Sequence, residues 1–85
     1  MTASNSGELS ADLPAADTEW DAGAMGCGEL LLELHLRLLV MKPRQVFKLV
    51  ARSAGAPMEM PAWCRMTGHR LLRADHPNYW IERKD

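Results

Sequence analysis

Between residues 28 and 41 apolar side chains recur at intervals of three and four: Leu31, Leu34, Leu38 and Met41 form one stripe, with Leu30 at its edge. That spacing follows the 3.6-residue period of an α-helix, not the two-residue period of a strand. Glu33 and Arg37 stand four apart in the favourable order on the opposite side. Lys42 follows the helix and Pro43 stops it. The helix is also more apolar than one buried stripe requires. Leu32, Leu36, Leu39 and Val40 make a second stripe, which a small two-layer fold cannot fully cover. Those residues belong either to a deeper core or to a surface that meets a partner or a second copy.

At the head of this helix stands Gly26-Cys27-Gly28-Glu29. A cysteine at this point meets unpaired backbone N–H groups and the positive end of the helix dipole, and both favour a thiolate. With Cys27 as N-cap, the N–H groups of Glu29 and Leu30 would point at the sulfur. Cys27 is therefore the candidate chemical centre. Small residues in the preceding loop, Ala24-Met25-Gly26, would let the backbone crowd close to it.

The remaining elements follow from pattern. Residues 18–22 alternate polar and apolar up to Gly23, as a first strand would. Residues 45–52 alternate with β-branched and aromatic content and form a second strand. Pro57 suits the first position of a second helix, and Pro61 lies within its first turns. Gly68 closes that helix. Residues 69–74 and 79–83 read as strands around the turn Asp75-His76-Pro77-Asn78. The order βαβαββ predicts an α/β two-layer sandwich, a mixed four-stranded sheet with both helices on one face.

Eighty-five residues make one domain at most. Residues 1–17 hold no aromatic side chain and no Lys or Arg, and are expected to be a disordered acidic leader, with the folded domain spanning 18–85. From Trp20 onward ten Lys and Arg face seven Asp and Glu, a net of +3. That mild excess suits an acidic protein partner or anionic substrate and argues against nucleic acid as a direct ligand. No apolar run is long enough for a membrane span and no secretory signal opens the chain. Two cysteines outside any CxxC pair predict no disulfide framework, no structural zinc and a reducing, cytoplasmic setting. Neither a nucleophile elbow nor a glycine-rich phosphate loop is present, so classical hydrolase and nucleotide-binding chemistry drop out. No cofactor and no metal ion are expected.

Several runs together resemble the TusA family, also called SirA-like sulfur-carrier proteins. They are the small loop ending in Gly26-Cys27, the apolar helix with its Lys42-Pro43 stop, Pro61-Ala62-Trp63-Cys64, Thr67-Gly68-His69, and the closing Tyr79-Trp80-Ile81-Glu82-Arg83-Lys84. The likeness runs from about Trp20 to Lys84. It implies a carrier that holds sulfur as a persulfide on the cysteine of a Cys-Pro-x-Pro motif and passes it between donor and acceptor proteins. The matching cysteine is Cys27, while Gly28 and Leu30 replace the two prolines. Gly28 restores an N–H near the sulfur and loosens the turn. The carboxylate of Glu29 works against a thiolate if it folds back toward it.

Partner recognition would then use the Cys27 loop, the basic residues Lys42, Arg44 and Arg65, and the second stripe through Leu32 and Leu36. Pro61, Trp63, Gly68 and His69 are expected to be structural, His69 by bonding the turn. Cys64 is expected to be a buried inert thiol, the alternative being a partner for Cys27 in a disulfide. Whether the chain counts as a sulfurtransferase is left open. The rival to the carrier is a non-catalytic interaction module that kept the fold and lost the chemistry, associating, for instance, as a homodimer through the exposed face of the first helix.

Overall fold

The computed structural model describes residues 13–85. The expected disordered leader, residues 1–17, lies outside the described residues as far as residue 12. Six elements follow: β1 (Thr18–Gly23), α1 (Cys27–Leu39), β2 (Val46–Ala51), α2 (Ala56–Thr67), β3 (Arg70–Asp75) and β4 (Asn78–Glu82). The strands form one mixed sheet in the order β1-β2-β4-β3, with β1 parallel to β2 and the other pairings antiparallel. This is the expected βαβαββ sandwich.

One face of the sheet supplies Phe47, Leu49, Ala51, Tyr79 and Ile81 to a core completed by Leu30, Leu34 and Leu38 of α1, Met41 just after it, and Ala56, Met60, Trp63 and Cys64 of α2. Both helices therefore lie on that face. Each fully buried leucine contributes about 1.5–3 kcal/mol of transfer free energy. Leu30 is the head of the buried stripe of α1, and Leu31 is the residue at its edge, the reverse of the sequence expectation. The exchange follows from the actual orientation of the helix. Leu30, Leu34 and Leu38 are spaced at four throughout and make a straighter inward row than a row headed by Leu31. On the other sheet face Lys48 lies 5.6 Å from the Trp80 ring centroid, and its ammonium is 3.6 Å from Glu19.

Glycine is required at two turning points. Gly23 ends β1 with φ +61, beside a bulge in the β1/β2 register. Gly68 ends α2 with φ +90, its N–H donating to the Cys64 carbonyl at 2.9 Å. Pro61 falls inside α2, where it has no N–H to offer the Pro57 carbonyl. The chain before β1 is tied down too. The Asp17 N–H donates to the Val46 carbonyl, and the Asp17 carboxylate accepts the Val46 N–H, both at 2.8 Å.

Because β1-α1-β2 is a parallel crossover and α2 also leaves the end of β2, the two helices run in the same direction. The molecule consequently has two distinct ends. One holds the carboxyl ends of β1 and β2, both helix N-termini and the β3–β4 turn, whose Pro77 carbonyl accepts the Ala51 N–H at 2.8 Å. The other holds both helix C-termini and the residues after β4.

Candidate functional site

Cys27 is the first residue of α1, and the N-cap is Gly26, one position earlier than expected. Gly26 is extended, with φ −74 and ψ 166, and its carbonyl accepts the first helical bond from the Leu30 N–H at 2.8 Å. Leu30 is thus bonded within the helix and unable to serve an anion. The N–H groups available at the helix head are those of Cys27, Gly28 and Glu29, which precede that first bond. Gly26 contributes no side-chain cap, so the dipole end is left to whatever anion binds there. Glu29 places its own carboxylate in the first turn.

A Cβ built on Gly26 or on Gly28 meets nothing within 4 Å, so the space beside both glycines is open. The loop itself is anchored from β2. The Arg52 N–H donates to the Gly23 carbonyl at 2.8 Å, and the Arg52 guanidinium donates to Asp21 Oδ1 at 2.8 Å. The same oxygen accepts the Gly23 N–H at 2.9 Å. That backbone bond, followed by Arg52, holds the Asp21 carboxyl below its ordinary range. Arg52 is thus a cation at the Cys27 end that sequence reasoning missed. The available signal was its position just after the second strand of a β-α-β unit, whose strands run parallel when they share a sheet.

The other expected recognition residues fall elsewhere. Lys42 and Arg44 lie beyond the C-terminus of α1, about 18 Å along a helix of this length from Cys27. Arg44 pairs with Asp85 at 3.0 Å, and its N–H donates to the Arg83 carbonyl at 2.8 Å, which fixes it at the far end. Arg65 is in the last turn of α2, also toward that end. These three do not form one surface with the cysteine loop. Leu32 and Leu36 do line the exposed side of α1 leading away from Cys27, at 61% and 50% exposure.

Cys64 sits in the core at 3% exposure, and burial pushes its thiol up to about 11. It lies in the third turn of α2, while Cys27 opens α1. His35 and Leu38 of α1 face Met66 and Thr67 of α2 across a shared hollow. The burial of Cys64 matches the inert thiol expected from sequence.

The structural residues cluster around the end of α2. Trp63 is buried, with its ring centroid 5.4 Å from that of His69. Among the described residues no group of His, Cys, Asp and Glu could hold a metal ion, and no helix is long and apolar enough to cross a membrane.

No protein-family model matches the chain. It is similar to the sulfur carrier protein TusA of Pseudomonas aeruginosa strain LESB58, at 26% identity over 74 residues that cover 82% of this chain and 94% of the relative. The TusA of Pseudomonas entomophila strain L48 is 29% identical over 72 residues, 80% of this chain and 90% of that protein. With the fold and the cysteine-headed helix already described, this distant likeness to TusA sulfur carrier proteins extends over most of the chain.

Proposed function

We propose that the chain is a sulfur carrier in which Cys27, within a carrier domain of residues 18–85, holds sulfur as a persulfide and passes it to a partner protein. The observation that carries this proposal is the position of Cys27 as first residue of a helix whose leading N–H groups have no side-chain cap. The similarity to proteins named as sulfur carriers supports it.

The transfer is an exchange without net oxidation. The Cys27 thiolate attacks the outer sulfur of a donor persulfide; the donor's S–S bond breaks as the bond to Cys27 forms, and the donor leaves as a thiolate. An acceptor thiolate then attacks the outer sulfur on Cys27 and regenerates the Cys27 thiolate. At each stage the N–H groups of Gly28 and Glu29 and the helix dipole stabilise negative charge near the helix head. The motif prolines are not needed for this, because proline at either place supplies no donor. Donor and acceptor proteins meet the helix head at Gly26 and Gly28, with Leu32 the nearest exposed apolar contact on α1. A reducing compartment keeps the thiol available.

Intact-mass measurement after incubation with a persulfide donor tests the proposal. Wild type and Cys64→Ala should each gain one reductant-labile sulfur, and Cys27→Ala should gain none. Equal loss of loading in both variants would sink a mechanism resting on Cys27 alone.

A further inference from the structure

The end of the molecule away from Cys27 carries a feature that sulfur transfer does not use. Between the C-terminal turns of the two helices lies a hollow of about 240 Å³, bordered by His35, Leu38, Leu39, Met66, Thr67 and His69 and closed by Arg83 and Lys84. Leu39 and Met66 are exposed large apolar side chains on its rim. The same Arg83 and Lys84 also border a second hollow of about 190 Å³, otherwise lined by Arg44, Gly68, Arg70, Glu82 and Asp85. The two hollows therefore adjoin, one mainly apolar and the other mainly charged.

The charge lining the hollows is unbalanced. Arg44, Arg70, Arg83 and Lys84 border them against Glu82 and Asp85. Asp85 is taken by Arg44 at 3.0 Å and Glu82 by Arg70 at 3.5 Å. Lys84 Nζ donates to the Thr67 carbonyl at 2.8 Å, a contact with no formal countercharge. Among the described residues, Lys42, Arg83 and Lys84 have no carboxylate partner.

We propose that this pair of hollows is a second docking site, for an acidic, leucine-bearing peptide segment of a partner protein, which grips the carrier from behind and leaves the Cys27 end free. An apolar side chain of the segment enters between Leu39 and Met66, while its carboxylates meet Arg83 and Lys84. Charge complementarity selects an acidic occupant, and the apolar hollow beside it selects a peptide over a simple polyanion. The lining offers no Phe, Tyr or Trp, and His35 and His69 are its only rings.

The test uses the full chain and a synthetic probe peptide with two leucines four apart, flanked by glutamates and aspartates. Expected are saturable NMR shifts confined to the Leu39 and Met66 methyls and the His35 and His69 rings. Affinity should fall at least tenfold in the double variant Met66→Asp/Arg83→Glu, whose sulfur loading at Cys27 should match wild type. Equal binding of a leucine-to-serine peptide or of an oligouridine would overturn the proposal in favour of a generic polyanion surface. Binding that appears only once residues 1–12 are removed would assign the hollow to the chain's own acidic segment instead. No binding by any probe also overturns it. Loss of sulfur loading in wild type would count against the carrier proposal alone.

Discussion

The Lys84 backbone N–H donates to Nδ1 of His69 at 3.0 Å, joining the turn after α2 to the segment after β4. The bond requires Nδ1 to be an acceptor, so the ring proton resides on Nε2. Burial first, then Lys84, Arg83 and His35, hold the His69 pKa below its ordinary value of 6.5. The folded state therefore binds a proton here less readily than the unfolded chain. Its contribution to stability is complete above pH 6.5, erodes as pH falls through the folded pKa, and levels off below it. Thermal unfolding between pH 7.5 and 5 should show this loss in wild type. In His69→Asn, whose side-chain oxygen can replace Nδ1 as acceptor but does not titrate, the drop over that interval should be smaller. An identical drop in both proteins would remove His69 as its source.

Gly68→Ala should destabilise by about 1–2 kcal/mol, the cost of holding a side chain in left-handed backbone. Crowding adds little, because the new Cβ would lie 3.3 Å from Lys84 Cδ, an atom of a flexible side chain. Urea unfolding measures the change. Gly28→Ala, with nothing within 4 Å of its Cβ, should be neutral or slightly stabilising in the same assay.

The two thiols should separate cleanly under alkylation. With burial raising Cys64 to about 11, iodoacetamide at pH 7.5 should add one group to native wild type, two after denaturation, and none to native Cys27→Ala. Two groups on the native protein would show that the core around Cys64 opens readily.

Arg37 links α1 to β1. Its Nε donates to Glu33 Oε2 at 2.9 Å, and its guanidinium carbon lies 4.3 Å from the Trp20 ring centroid. Arg37→Ala should cost about 0.5–1.5 kcal/mol and alter Trp20 fluorescence. Arg37→Lys should recover only part of this, since an ammonium cannot stack on the ring as a guanidinium does.

If the exposed face of α1 joins two copies, wild type should sediment as a dimer and Leu36→Glu as a monomer. Monomers in both cases would reserve Leu32 and Leu36 for other partners.

The periodicity of Leu34 and Leu38 and the Gly68 cap were legible because each acts over a single turn of chain, whereas α1 ends at Leu39, two residues short of the expected Met41 and before Pro43 is reached. The helix starts were less so. Gly26 and Gly55 cap α1 and α2 without side-chain hydrogen bonds, so no Ser, Thr, Asp or Asn marked either boundary. Cys27 stood out as a thiol before an apolar helix, but its neighbours in space did not. Arg52 reaches the cysteine loop only through parallel pairing of β1 and β2. Lys42 and Arg44 leave it because the helix between carries them to the other end. Such placements depend on crossover direction, which no local pattern states.

The shared direction of α1 and α2 has an electrical consequence. Dipoles that cancel in an antiparallel helix pair add here, so the Cys27 end presents two positive helix heads side by side. Partial charges of this kind fade within about a turn, whereas full cations act over a Debye length of about 8 Å at physiological salt. The two ends therefore attract anions over different ranges. Association through the far end should weaken more steeply as salt rises than the contact that positions sulfur at Cys27.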